Sequence, residues 1–359
     1  MIRTGGRARP VRSGIDGSPG AWSNAGMSTE SRLRGFRRIL FYLLCLSVAA
    51  VFSLYFARLR MYRLEYGNAT LEMIVNGTAP TTFQYRVLLP WLIGFLKEHS
   101  LEPSFVSTLH GYEFGSELVF TFLLLVTFWH LLGCVLRDPF AKAAGVLVFG
   151  HVLFLTYVAP VHFPFYYIYD LPAVFFFCLG LLLMRKEKWV VYYPLFFIAT
   201  LNRQTTCFLT VIFFLTGLGK RRLAGLAGHV LCQSLIWAGL TFALGWVYRH
   251  NTTELSAGRL PGNLGVLLSF DYFPVVLSSV GYVWIPALAG WRLIRDDFSR
   301  RACLVLPFFL VGAWLTGNLQ EIRIYGELIP VFVPAFLLVL ATALGRNAAP
   351  APGPHPQEE

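Results

Sequence analysis

Beyond residue 31 the chain alternates between apolar runs and short polar breaks, and the alternation continues to residue 344. The apolar runs lie near 39 to 57, 116 to 136, 143 to 159, 171 to 184, 189 to 201, 205 to 219, 223 to 247, 273 to 293, 302 to 317 and 328 to 344. A helix needs about 20 apolar residues to cross the hydrocarbon of a bilayer. The longer runs come near that length, while 171 to 184 and 189 to 201 fall short and predict broken helices. The pattern predicts an all-α polytopic membrane protein of about ten transmembrane helices, occupying residues 32–344.

Two flanks fall outside the pattern. Residues 1–31 are rich in Gly, Ser, Arg and Pro with no apolar period, and the tail 345–359, with its "AAPAPGPHPQEE", is too rich in Pro and Ala to pack. Both are expected to be disordered, with Met27 a second candidate for the first residue. Between the first and second apolar runs lies the longest polar break, residues 58–115, which contains "FQYRVLLPWLIGFLKEHS". Its apolar core from Val87 to Leu96 is too short to cross, so it is expected to lie in the interface with Trp91 as an aromatic anchor.

Composition strengthens the membrane reading. The chain is 56% hydrophobic and 16% aromatic, has a mean hydropathy of +0.58, and is only 14% charged, against about 25% charged for a soluble chain. The net charge of +11 would in a soluble protein raise nucleic-acid binding. Here the basic residues sit in short clusters between apolar runs, so nucleic acid is excluded as a partner. With the N terminus inside, ten spans put 21 of the 30 Lys and Arg on the cytoplasmic side, as the positive-inside rule requires. The single, widely spaced cysteines match no metal or redox motif and are expected to be buried free thiols. Sequons at Asn68, Asn76 and Asn251 all fall outside.

That topology gathers polar residues onto the outer face. The first outer loop offers Glu65, Glu72, Gln84 and Arg86; "APVHFPFYYIYDLP" offers His162, Tyr169 and Asp170; "TLNRQTT" offers Asn202, Arg203 and Gln204; and "NLQEIRIYGELIP" offers Glu321, Arg323 and Glu327. Ionised groups at membrane depth are costly, about 2.5–3.5 kcal/mol at a helix centre, so they tend to face a protein cavity. Each has a plain structural alternative. Arg323 and Glu327 are four apart and would pair across one helical turn. Asp170 stands where a carboxylate caps a helix that has Pro in its first turn. Arg203 would satisfy carbonyls in a tight turn, although a guanidinium beside two amides also suits phosphate. Glu65 and Glu72 would be solvated, Gln84 and Arg86 would hold the start of the interfacial helix, and His162 would be a hydrogen-bonded structural residue. The carboxylates Asp170, Glu65, Glu72, Glu321 and Glu327 are hard oxygen ligands of the kind that hold a magnesium or manganese ion against phosphates, but no spacing singles out a metal site.

The motifs "YRVLLPWL", "YDLP", "NRQT" and "EIRIYGELIP", set in this architecture, resemble uncharacterised bacterial members of the GT-C class of polytopic glycosyltransferases. The resemblance implies a sugar donor linked to a polyprenyl phosphate, a bacterial inner-membrane location with the site facing the periplasm, and a catalytic base in the first outer loop. Carried to this chain the base is Glu65 or Glu72, with Asp170 a further catalytic candidate. The paired acidic motif common in that loop is absent. The competing expectations are a transporter or flippase for a lipid-linked or anionic substrate, and a non-catalytic membrane subunit.

Overall fold

The computed structural model describes residues 29–61, 67, 69–99, 109–159, 167–253 and 259–345, and among these there is no β-strand. The helices are α1 (Thr29–Met61), α2 (Leu71–Val75), α3 (Thr81–Gln84), α4 (Leu88–Glu98), α5 (Leu109–Leu132), α6 (Pro139–Tyr157), α7 (Asp170–Arg185) and α8 (Trp189–Asn202). They continue with α9 (Cys207–Gly217), α10 (Leu223–Val247), α11 (Arg259–Leu268), α12 (Phe273–Leu277), α13 (Trp284–Ala289), α14 (Asp297–Ala302), α15 (Val305–Thr316) and α16 (Ile329–Ala343). The chain divides into two units, Met1–Phe41 and Tyr42–Glu359. The helical bundle and its polar cluster belong to the second.

Among the described residues six helical segments are long and apolar enough to cross a membrane: Gly35–Phe56, Gly111–Leu132, Pro139–Tyr157, Leu223–Val247, Asp297–Thr316 and Ile322–Ala343. The regular secondary structure of the described residues is therefore all helical, and their apolar helices are compatible with a membrane protein. Trp189–Asn202 and Gln204–Gly217 are apolar but shorter, and the 16 residues of α7 rise about 24 Å. The expected run 273 to 293 is not one helix. It breaks into α12, a 3-10 turn at Ser279–Tyr282 and α13, with Val280, Gly281 and Tyr282 all at positive φ (55°, 57° and 63°). Pro286 explains part of this, since its ring would clash with the carbonyl four residues back and it donates no hydrogen bond there. The "FQYRVLLPWLIGFLKEHS" stretch forms α3 and α4. The latter buries Leu89, Pro90 and Ile93 and exposes Trp91, Leu92 and Phe95, and at about 16 Å it is too short to cross.

Burial sorts the helices. Residues Asp170 to Cys178 of α7 are buried without interruption, on every side of the helix, and α7 packs against α5, α8, α9 and α16. The window containing α16 is 67% buried, whereas that of α10 is only 11% buried and turns Leu231, Leu235, Phe242 and Trp246 outward. That outward face suits lipid. At the Arg185 end of α7, the Arg185 guanidinium grips Asp296 with two hydrogen bonds of 2.7 Å. Asp297 meets Lys220, Arg300 and Arg301 nearby. Parts of three predicted basic clusters, Arg185, Lys220, and Arg300 with Arg301, thus meet at one end of α7. Asp170, Arg203, Arg323 and Glu327 meet at the other.

Candidate functional site

Asp170 is the first residue of α7 and is wholly buried. Its Oδ2 accepts from Arg323 Nη1 (2.8 Å) and from the Tyr167 amide (3.3 Å), and its Oδ1 stands 3.4 Å from Arg203 Nη1. Arg203 follows the last residue of α8 in extended backbone, φ −163°. From there its Nη1 also reaches Glu327 Oε1 at 3.1 Å, and Thr205 donates to that same oxygen at 2.7 Å. Arg323 completes the chain of charges by donating Nη2 to Glu321 Oε2 at 2.6 Å. Three separated motifs thus form one ion-pair network, with side-chain exposures of 0% for Asp170, 1% for Glu327 and 6% for Arg203. Such charges persist in a dry site only when paired. Burial works against the charge on Arg203, but Glu327 and Asp170 beside it outweigh that and hold its pKa above the ordinary value.

A third guanidinium arrives from the turn between α3 and α4. Arg86 Nη1 donates to Tyr169 Oη at 2.5 Å and its guanidinium lies 4.6 Å from the centre of the Tyr169 ring. Tyr169 stacks on Tyr167 with centroids 5.1 Å apart and planes 5° apart, and Arg323 lies 4.6 Å from the centre of Tyr167. Each ring of the stacked pair therefore carries an arginine, a favourable pairing of cation and π face. Burial pushes both tyrosine hydroxyls up, against the lowering effect of the arginines. Among the described residues Arg86 has no carboxylate partner, and the Nε–H groups of Arg86, Arg203 and Arg323 are buried without an acceptor. Glu327 Oε2 is likewise buried and unpartnered.

The other predicted residues hold the frame. Asn202 Nδ2 donates to the Tyr169 carbonyl (3.0 Å), fixing the end of α8 to the start of α7. Gln204 Nε2 donates to the Tyr85 carbonyl (3.0 Å), and the Gln204 carbonyl accepts from Trp237 Nε1 (2.7 Å). Gln84 is buried and its Nε2 donates to the Ile74 carbonyl (2.8 Å), tying α3 to α2. Glu72 is exposed in the first turn of α2. Glu65 and His162 lie outside the described residues.

Two outcomes differ from the plain alternatives. Arg323 and Glu327 do not pair with each other: Arg323 turns to Asp170 and Glu321, and Glu327 turns to Arg203. The segment Ile322–Leu328 is a 3-10 helix, and with three residues per turn instead of 3.6 a spacing of four no longer shares a face. Asp170 caps only the Tyr167 amide ahead of it, and its remaining capacity goes to the guanidiniums. Sequence reasoning missed Tyr157, Tyr167 and Thr205, and gave Tyr169 no role beyond its place beside Asp170. Tyr157 is buried under the 3-10 segment, its Oη 3.5 Å from the Arg323 carbonyl. Also missed were Glu113 and Glu117, both buried on α5 four residues apart.

Asp170, Glu321 and Glu327 do not come together as a divalent-cation site. Among the described residues no group of three or more His, Cys, Asp or Glu side chains comes together to hold a metal, and Asp170, Glu321 and Glu327 each give oxygens to a guanidinium. What the arrangement can do is bind an oxyanion at guanidinium groups whose positions are fixed in advance. Compared with known proteins, the chain matches no family model, no curated sequence and no solved structure.

Proposed function

We propose that the chain is a multi-pass membrane glycosyltransferase, moving a sugar from a polyprenyl-phosphate-linked donor to an acceptor at the outer, periplasmic face of a bacterial inner membrane. The observation that carries the reading is the meeting of Arg86, Arg203 and Arg323, from three distant segments, around Asp170 and one pair of stacked tyrosines. In this reading the donor enters from the lipid and its phosphate approaches the arginines. A carboxylate of the first outer loop, Glu65 or Glu72, takes the proton of the acceptor hydroxyl as the acceptor oxygen bonds to the anomeric carbon. The bond from that carbon to the phosphate oxygen breaks, the electron pair leaves on the lipid phosphate, and the arginines stabilise the charge that develops there. Asp170, with both oxygens engaged, is a positioning group for two of those arginines.

The test is transfer of radiolabelled sugar from a polyprenyl-phosphate donor in membranes, comparing wild type with Glu65→Gln, Glu72→Gln, Arg203→Lys and Arg323→Lys at matched expression. Loss in one glutamate variant and in both arginine variants is expected. Wild-type transfer that survives in all four overturns the assignment. A transport reading predicts movement of intact lipid-linked substrate across the bilayer with no new glycosidic bond, and the same membranes report that. Cys232 is unsuited to probing a transport path, because it is exposed on the sparsely buried α10.

A further inference from the structure

The carboxylates around the arginines are not equally held. Asp170 has both oxygens engaged and a side chain that is wholly buried, and Glu327 is almost as enclosed. Glu321 is the exception, at 15% side-chain exposure. One of its oxygens meets Arg323 Nη2 at 2.6 Å, and the other has only a long contact, 3.5 Å, from Asn318 Nδ2. It precedes the 3-10 segment in extended backbone, two residues before the arginine it serves.

Charge sets the condition for binding. Arg86, Arg203 and Arg323 are balanced by Asp170, Glu321 and Glu327, so the resting cluster offers an incoming anion little net attraction. At Arg203 and Arg323 an anion gains full access to the guanidinium only by replacing a carboxylate already present. Displacing Asp170 or Glu327 would strand a buried charge, whereas Glu321 needs only to turn toward solvent. The donor geometry favours the exchange. Nη2 and Nε form one edge of a guanidinium, and on Arg323 Glu321 takes only Nη2, leaving the buried Nε–H on that same edge without an acceptor. A phosphate monoester can place one oxygen on each, the bidentate arrangement arginine is shaped for.

We infer that Glu321 is a resident stand-in for the lipid phosphate: its carboxylate occupies the Arg323 edge in the resting protein and yields it to two free oxygens of that phosphate, a diester in the donor and a monoester once released. The inference rests on the phosphate-binding reading above and adds which contact gives way. It makes a prediction of unusual sign, since removing an ion-pair partner from the site tightens ligand binding. If the open form is about one tenth of the resting population, the apparent affinity is lowered about tenfold.

The experiment is equilibrium binding of radiolabelled farnesyl phosphate, and separately of inorganic phosphate, to the purified full-length protein in detergent micelles. Glu321→Gln should bind about tenfold more tightly than wild type, and Glu321→Asp, one methylene shorter but still charged, should fall between them and serve if the glutamine variant is unstable. Glu98→Gln, an exposed carboxylate on α4, controls for general loss of negative charge and should not tighten binding. Tightening for both ligands means the phosphate group alone is recognised, and tightening for farnesyl phosphate alone means the lipid chain is required. Either supports the inference. Wild type that binds farnesyl phosphate while the Glu321 variants bind no better overturns the stand-in role and leaves the phosphate reading intact, as does equal tightening in Glu98→Gln. Absence of binding by every form overturns the phosphate reading and this inference together.

Discussion

Gly326 lies in the 3-10 segment between Arg323 and Glu327, and a Cβ placed there would stand 1.8 Å from Tyr157 Oη and 2.8 Å from its Cζ. Ordinary contacts begin at about 3.5 Å, so the hydroxyl and the segment must part by about 1.7 Å. Tyr157 is only 4% exposed and its ring has no solvent to move into. Overpacking of this kind costs about 1–3 kcal/mol, and with both sides enclosed Gly326→Ala should fall in the upper half of that range. Tyr157→Phe alone should cost under about 1 kcal/mol, because the hydroxyl's 3.5 Å contact with the Arg323 carbonyl is beyond ordinary hydrogen-bond length. Together the two substitutions remove the worst contact and leave the 2.8 Å approach to Cζ. The double variant should therefore be more stable than the sum of the singles by about 1–2 kcal/mol, a coupling that a double-mutant cycle resolves. The assay is equilibrium unfolding of the full-length protein in mixed detergent micelles. Farnesyl phosphate binding should follow the same order, since the displaced segment carries Arg323. Gly326→Ala as stable as wild type, or no recovery on adding Tyr157→Phe, refutes the close packing of this segment on α6.

Asp170→Asn removes the carboxylate shared by two buried guanidiniums. Breaking a buried pair costs about 3–5 kcal/mol, and with Glu327 and Glu321 still in place the low end is expected in the same unfolding assay; a loss under about 1 kcal/mol would contradict the network. Asn251 Nδ2 donates to the carbonyls of Gly77 (2.8 Å) and Ala79 (2.7 Å), so Asn251→Ala should cost about 1–3 kcal/mol and make residues 77–81 more sensitive to protease. At the other end of α7, burial would raise the Asp296 carboxyl, but Arg185 hydrogen-bonded to it holds it below its ordinary value of 3.8. A carboxyl depressed in the fold adds stability that is present above the unfolded pKa and lost as pH falls through the folded one. Asp296→Asn should therefore be the less stable protein at neutral pH and lose less than wild type below about pH 4, and parallel losses in the two would exclude this clamp.

The sequence carried the identities of the charged residues in the cluster but not their pairing. Asp170, Arg203, Glu321, Arg323 and Glu327 were legible because ionised residues are conspicuous at the ends of apolar runs. Their partners were not, because partner choice depended on backbone detail. The 3-10 winding of Ile322–Leu328 separates Arg323 from Glu327, and no periodicity marks it in advance. Tyr157 and Tyr167 were hidden for a different reason. With 16 Tyr and 32 Phe in the chain, an aromatic residue beside a motif carries little information until its ring is seen under a guanidinium. The run 273 to 293 misled because composition alone decides apolarity, while Pro286 and the positive φ at Val280 and Tyr282 decide continuity.

One physical constraint explains why the site could be partly read at all. A membrane bundle tolerates ionised side chains only where they neutralise one another or reach water, and on consecutive antiparallel helices the end of one lies beside the start of the next. Asp170 begins α7, Arg203 follows the end of α8, and Arg323 and Glu327 precede α16. Once these ends share a side, mutual neutralisation favours their meeting, and the Asn202 bond to the Tyr169 carbonyl sets the register between the first two. The same rule produces the Arg185–Asp296 clamp at the opposite end of α7. What distinguishes the two ends is what is left over. The clamp engages two donors of Arg185 on one carboxylate and a third contact on the Cys134 carbonyl, whereas the other end retains three guanidinium Nε–H groups and one glutamate oxygen without partners. Folding alone gains nothing from the three unmet Nε–H donors, and an oxyanion ligand would satisfy those.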